Sequence, residues 1–246
     1  MRLLQWNVWY REDVQNILRT IRDIDPDVVC LQELTVNHTE YNKGVNVPEL
    51  LASELAYEHV YAPAMQKGAQ QSGNGIFSRY PIRSFRSHFI QEPPSAGQEA
   101  VGYSNEGRVY VEAMLQIDEG EMIEVGTVHM SYTDRFAMTP AKTAETNKLL
   151  DILKSKRERY LFTGDLNATP DSYTISEIAK VLKHCGPDMD ECTWTTKLFS
   201  YNGFEAHTLD WRLDYCFATP DIEITDARVM TTDHSDHLPI LIELNG

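Results

Sequence analysis

Residues 160–167 read YLFTGDLN: an apolar, strand-like run over 160–163, then a glycine, an aspartate and an asparagine where the run gives out. Alone, GDLN fits a turn in which Asp165 caps and Gly164 supplies a positive φ. The reading changes when other runs are seen to end in the same manner. QWN closes the first run with Asn7, DVVCLQE closes another with Gln32 and Glu33, and Asp236 and His237 stand directly before LPILIEL. Asp214 in WRLDYCF and His129 in GTVHM lie within strand-like runs themselves. Each residue has an ordinary structural explanation when taken singly. Their recurrence at separate strand ends points to one site, because α/β sheets collect functional groups where strands give way to loops.

The order of elements supports such a sheet. A strand over residues 3–8 precedes a helix over 13–24, in which Val14, Ile17, Leu18 and Ile21 recur at helical spacing until Pro26. A buried-type strand follows over 27–32, then a helix over 48–56. Short strands are expected over 59–62, 75–78, 82–90, 108–117 and 122–130, with DEGE (118–121) as the hairpin turn between the last two. Helices over 139–154 and 171–182 flank the strand at 160–163, and strands over 214–218, 222–229 and 238–244 end the chain. The segments 62–72, 91–107 and 199–207 read as loops, of which 91–107 is long enough to suggest a functional role. No repeat or linker divides the chain, so a single domain over 1–246 is expected, in the α/β class and monomeric.

Bulk properties narrow the function. The 246 residues are 42% hydrophobic, ample for a large core, and no stretch approaches the ~20 apolar residues that span a bilayer. The start MRLLQWNV has no basic-then-apolar leader, which predicts a cytoplasmic protein near its mature form. The net charge of −15 argues against a broad basic surface tracking long nucleic acid, though not against a nuclease whose metal supplies positive charge. The basic run KSKRER (154–159) reads as a solvated helix end. Cys30 and Cys216 read as buried thiols; Cys185 and Cys192, near His184 and His207, lack the close pair that a zinc site needs.

The candidate residues define a chemistry. Glu33, Asp165 and Asp236 are hard oxygen ligands, and Asn7 and Asn167 add amide oxygens. Such a set without thiolates suits Mg²⁺, with Mn²⁺ as a substitute, and binds substrate phosphate. A histidine held by a carboxylate suits proton transfer or a cationic contact to phosphate. No nucleophile elbow, Walker A sequence or zincin motif occurs in the chain.

The ordered series QWN (5–7), LQE (31–33), GNGIFSRYPI (73–82), EGR (106–108), VH (128–129), GDLN (164–167), WRLDYCF (211–217) and SDH (235–237) resembles the endonuclease/exonuclease/phosphatase superfamily. That group includes pancreatic-type DNases, abasic-site endonucleases, neutral sphingomyelinases, inositol-phosphate 5-phosphatases and tyrosyl-DNA phosphodiesterases. The resemblance implies a DNase-like, four-layer α/β/β/α sandwich: two mixed sheets packed face to face with helices outside. It implies that Glu33 is the principal Mg²⁺ ligand with Asn7 nearby and Asp236 close to the metal. Asp165 would orient or deprotonate the attacking water, and Asn167 would stabilise the transition state. His237 would contact the scissile phosphate, oriented by Asp214, and His129 would be a second phosphate contact or general acid. Trp9 stands where abasic-site endonucleases carry an aspartate, and His129 where they carry a tyrosine, so the chain departs from that branch. Arg108 follows the family's structural arginine.

The expected function is therefore Mg²⁺-dependent hydrolysis of a phosphate ester by in-line attack of water. The substrate is a small phosphorylated molecule or phospholipid head group, or alternatively a nucleic acid; a non-catalytic binding module is a third reading. Trp9, Tyr10, Tyr103, Tyr132, Phe136, Phe204 and Trp211 could stack on a base or sugar, or could simply pack loops against the sheet.

Overall fold

A computed structural model describes residues 1–95 and 106–245. Most of the 91–107 loop, Tyr103 included, lies outside the described residues. The chain forms two six-stranded mixed sheets. The first contains β1 (Arg2–Asn7), β2 (Val28–Val36), β3 (Glu58–Lys67), β4 (Gln70–Ser78), β13 (Ile224–Val229) and β14 (Ile240–Leu244), in the order β13-β14-β1-β2-β4-β3. The second contains β5 (Ile82–Gln91), β6 (Arg108–Asp118), β7 (Glu121–His129), β8 (Tyr160–Asp165), β9 (Lys183–His184) and β12 (Asp214–Ala218), in the order β5-β6-β7-β8-β12-β9. A hairpin of β10 (Phe199–Tyr201) and β11 (Phe204–Ala206) stands apart.

Strand alternation explains the layers. Along β1, Leu3 packs into the core between the sheets, whereas Leu4 and Trp6 face the helices α1 (Val14–Ile24) and α2 (Val47–Leu55). In β8, Leu161 faces the inter-sheet core, and Tyr160 and Phe162 face α3 (Pro140–Leu153) and α4 (Tyr173–Ile178). A sheet buried on both faces needs apolar residues at every position, and both strands comply over most of their length. The four-layer sandwich implied by the resemblance is the fold of this chain.

The inter-sheet positions also change character along each strand, and this builds the site. On β1 they run Leu3, Gln5, Asn7; on β2, Val28, Cys30, Gln32; on β8, Leu161, Thr163, Asp165. The period of two fixes the face, so the polar residues enter the same layer as the core residues before them. Parallel pairing sets Asn7 beside Gln32 and His129 beside Asp165, and antiparallel pairing sets Asp214 beside Asp165. One end of the layer between the sheets is thus polar.

The helices begin where their caps dictate. Asp13 accepts from the Gln15 N–H and α1 starts one residue later; Asn46 caps α2 and Ser172 caps α4. Several expectations need correction. The segment 62–72 is the arm of a long hairpin, because β3 and β4 pair from Glu58 against Ser78 to Lys67 against Gln70. The segment 199–207 contains the β10–β11 hairpin. The helix expected over 171–182 ends at Ile178, with turns continuing to Leu182. The KSKRER run is not wholly solvated: the Lys156 ammonium is buried against Glu112 and lies 3.0 Å from Glu124, and Arg159 pairs with Glu121 at 2.6 Å. Cys185 is buried, and burial pushes its thiol up to about 12.

Candidate active site

Glu33 owes its position to a bulge. The β2–β4 register slips between Leu31 and Leu34, and Glu33 adopts the left-handed backbone region with φ 61°. A bulged residue re-aims its side chain, here into the polar end of the layer between the sheets. Glu33 Oε1 accepts from Asn7 Nδ2 at 3.1 Å, and Oε2 accepts from the Tyr10 N–H at 3.0 Å. Asn7 Nδ2 also donates to Asp165 Oδ2 at 3.0 Å. Its amide nitrogen therefore links two carboxylates, while its oxygen accepts from the Trp9 N–H at 3.1 Å.

The GDLN turn positions the next group. Gly164 is needed for close approach: a Cβ there would sit 2.3 Å from the Val128 carbonyl oxygen on β7. Asp165 Oδ1 accepts from the Asn167 N–H at 2.9 Å, and Asn167 itself takes φ 45°. Asn167 Nδ2 donates to the Met130 carbonyl at 3.0 Å and lies 3.2 Å from His129 Nε2. His129 Nε2 is 3.4 Å from Asp165 Oδ2 and 3.9 Å from Glu33 Oε1.

The SDH loop is fixed by its serine. Ser235 Oγ donates to the Asn7 carbonyl at 2.7 Å and accepts from the His237 N–H at 3.1 Å. Trp6 Nε1 donates to the His237 carbonyl at 3.0 Å. The imidazole meets Asp214 Oδ2 through Nδ1 at 2.8 Å and has Nε2 3.6 Å from Asp165 Oδ2. Asp236 Oδ2 accepts from Trp194 Nε1 at 3.1 Å.

The electrostatics are dominated by desolvation. Burial raises Glu33, and raises Asp165 and Asp236 to about 6 each, against the attraction of His237. Burial opposes the charge on His237, but Asp214, Asp165 and Asp236 outweigh it and hold the ring well above its ordinary range. His129 moves the other way: burial, then Arg108 and His237, hold it well below. Among four carboxylates the site thus favours the charged form of His237 and the neutral form of His129.

That excess of buried negative charge, carried on oxygen donors, fits a divalent cation. Asp165, Asp214 and His237 also lie close enough to share an ion, their ligand atoms all within 4.8 Å. The imidazolium already stands between those two carboxylates, so a cation fits better beside Glu33 and Asp236, with Asn7 adjoining. Glu33 and Asp236 border a cleft of about 560 Å³, which Trp9, Tyr10, Asn167, Trp194 and Leu198 also line.

Of the candidate residues found in the sequence, Glu33, His129, Asp165, Asn167, Asp236 and His237 line this cleft, whereas Asp214, behind His237, and Asn7 are fully buried. (Asn7 is reached through its bonds to Glu33 and Asp165.) His234 does not line it; its Nδ1 lies 2.9 Å from Thr20 Oγ1 on α1. Arg108, read as structural, lines the cleft with Nη1 3.5 Å from His129 Nδ1. Tyr132, Phe136, Phe204 and Trp211 pack with Trp194 into an aromatic cluster, so loop packing accounts for most of their surface. Sequence reasoning missed Trp194, whose indole holds Asp236; a lone tryptophan in CTWTT gives no sign of it. Lys142 was also missed: it is buried in α3, and its ammonium donates to the Ser131 and Leu166 carbonyls, each at 2.7 Å.

Fold and site together define a DNase-like sandwich with an acidic, histidine-bearing centre at one end of its paired sheets. The chain belongs to the endonuclease/exonuclease/phosphatase family, whose sequence model matches residues 4–237, and whose members are hydrolases acting on phosphate esters. It is 23% identical to Protein angel of Drosophila melanogaster over 176 residues, covering 68% of this chain and 46% of that protein. The chain thus spans about half the length of this curated relative. Among solved structures it is similar to an endonuclease/exonuclease/phosphatase from Beutenbergia cavernae, with TM-score 0.77 and 22% identity, over 99% of this chain and 71% of that one. It is also similar to D. rerio TDP2 complexed with a single strand DNA product, with TM-score 0.71 and 17% identity, over 100% and 99% of the two chains. No helix among the described residues is long and apolar enough to cross a membrane.

Proposed function

We propose that this protein is a divalent-metal-dependent phosphoesterase, using Mg²⁺ with Mn²⁺ as a substitute. The observation that carries this reading is the meeting of half-buried Glu33 and Asp236 with buried Asp165 at one cleft, beside a His237 ring held by Asp214. Glu33 and Asp236 would hold the ion, with Asn7 adjoining; once bound, it would neutralise charge on the phosphate oxygens.

The remaining chemistry belongs to the chain. Asp165 is anchored through Oδ1 by the Asn167 N–H, and Oδ2, which also accepts from Asn7 Nδ2, is turned toward His129 and His237 at the cleft. It would orient a water and accept its proton as the water oxygen bonds to phosphorus and the opposite ester P–O bond breaks. The leaving oxygen takes its proton from solvent in the open cleft. His237 would hold the phosphoryl oxygens with its cationic Nε2–H, and the Asn167 amide would donate to the charge that develops there. His129, neutral and set between Arg108 and Asn167, would orient rather than act as an acid. No side chain stands as a covalent nucleophile in this scheme. A pure binding module is disfavoured because Glu33, Asp165 and His237 are all present.

The test is turnover of a phosphodiester and phosphomonoester panel with Mg²⁺, Mn²⁺ or EDTA, spanning sugar phosphates, phospholipid head groups and nucleic acids. Metal-dependent hydrolysis of at least one class is expected, and none in EDTA. Absence of turnover across the panel in a folded sample would overturn the reading.

A further inference from the structure

We infer that Lys142 is a positioning residue for Asp165, acting through the one peptide unit that joins Leu166 to Asn167. This rests on the phosphoesterase reading, in which Asp165 takes the proton of the attacking water.

Lys142 stands in the first turn of α3 and is 1% exposed. Its ammonium donates to the Ser131 and Leu166 carbonyls, each at 2.7 Å. Burial strips the ammonium of water and lowers it to about 8, although Glu145 and Asp165 pull it upward. A methionine would fill that helix position without desolvating a charge. Neutralising Glu145 does not explain the cation, because both bonds go to carbonyls while Glu145 Oε1 accepts the Ser131 N–H at 2.9 Å. The explanation lies in what the two carbonyls belong to.

The Leu166 carbonyl is one end of a planar unit whose other end is the Asn167 N–H. That N–H donates to Asp165 Oδ1 at 2.9 Å. In a trans unit the two groups point in opposite directions, so a hold on the oxygen fixes where the N–H points. The cation also polarises the unit, which strengthens the N–H as a donor. A hold is needed at this place. Asn167 takes φ 45°, the left-handed region that L-residues enter at a cost, and the bond to Asp165 is lost if the unit rotates.

The Ser131 carbonyl extends the same hold to the neighbouring strand exit. Helix α3 grips Ser131 by both backbone groups, through Lys142 and Glu145. Directly before it, the Met130 N–H donates to the Asp165 carbonyl at 2.9 Å, and the Met130 carbonyl accepts from Asn167 Nδ2 at 3.0 Å. One ammonium thus ties the turn carrying Asp165 and Asn167 to the segment that follows His129. Apolar packing of α3 on the sheet sets no direction; these hydrogen bonds do.

The experiment measures kcat and KM with Mg²⁺, on the panel ester that wild type hydrolyses fastest, for wild type, Lys142→Met, Lys142→Arg and Leu153→Ala. Lys142→Met should lower kcat about 10²-fold with KM within a few fold, and Lys142→Arg, which keeps a charged donor, should recover most of it. Leu153→Ala leaves a cavity at the far end of the same helix; it lowers stability without touching Lys142 and should keep kcat near wild type. A folded Lys142→Met protein with wild-type kcat, or an equal loss in Leu153→Ala, would overturn the inference. Amide hydrogen exchange read by NMR needs no substrate. The Asn167 amide should exchange slowly in wild type, and at least about tenfold faster in Lys142→Met than in Leu153→Ala. A wild-type Asn167 amide that exchanges like an exposed one would overturn the inference whether or not Lys142→Met folds. The expected exchange pattern without any turnover would reject hydrolysis and keep the hold on Asp165; neither pattern nor turnover would reject both.

Discussion

His237 Nδ1 lies 2.8 Å from Asp214 Oδ2, and both side chains are buried where two β-sheets meet. The aspartate fixes the ring so that Nε2 faces Asp165 and the cleft, and it keeps the ring charged. Asp214→Asn should lower kcat about 10²-fold while leaving KM within a few fold. Because Asp214 raises His237, its loss should also move the alkaline limb of the kcat profile to lower pH. A pH–rate series on the two proteins checks both effects.

The same pair has a stability signature. The folded His237 pKa stands above its unfolded value near 6.5, so its contribution is complete below that pH and is lost as pH rises through the folded value. Asp165 and Asp236, at about 6, are carboxylates raised above an unfolded value of about 3.9. They bind more protons folded than unfolded between those values, so without metal they cost stability as pH rises from about 4 to 6. Asp236→Asn should therefore stabilise the metal-free protein by on the order of 2 kcal/mol at pH 8 and by little at pH 4. Denaturant unfolding in EDTA at the two pH values measures the difference.

A cation held as proposed by Glu33 and Asp236 would stabilise only the folded chain. Saturating Mg²⁺ should raise the melting temperature of the wild type by several degrees over EDTA, and Glu33→Gln should abolish most of that rise. Calorimetry on the pair gives the answer without any substrate.

Lys142 and Glu145 are both buried in α3, where Lys142 holds two carbonyls and Glu145 Oε1 accepts the Ser131 N–H at 2.9 Å. The two carbonyls belong to the segments following His129 and Asp165. Lys142→Met leaves the Ser131 and Leu166 carbonyls without their buried donor and should cost about 3 kcal/mol. Urea unfolding of the variant beside wild type measures the loss.

Gly164→Ala should push β8 from β7 at the Val128 carbonyl and move Asp165 off its partners. Loss of activity by at least about 10² is expected in protein that still folds. Circular dichroism alongside a rate assay separates the two.

The site was legible because its residues sit at strand ends whose periodicity fixes their face. Leu3, Gln5 and Asn7 alternate with Leu4 and Trp6, and nothing outside the strand is needed to predict which way Asn7 points. The β3–β4 arm was read as a loop because Gln, Lys and Gly residues dominate it; its pairing comes from the partner strand, not from its own composition. Helix α4 ended early because the chain turns after Ile178 to enter β9, although the residues beyond suit a helix. Trp194 and Lys142 were invisible for a related reason. Their roles lie in contacts over 42 and 24 residues of sequence, which no local pattern encodes.

The most direct test of the central claim is the rate of phosphate-ester hydrolysis by wild type, Asp165→Asn and His237→Ala, each with Mg²⁺ and with EDTA. The expected result is turnover by wild type with metal only, and a loss of at least about 10²-fold in each variant while the fold is retained. Turnover that survives EDTA, or a folded His237→Ala protein that works at the wild-type rate, would contradict it.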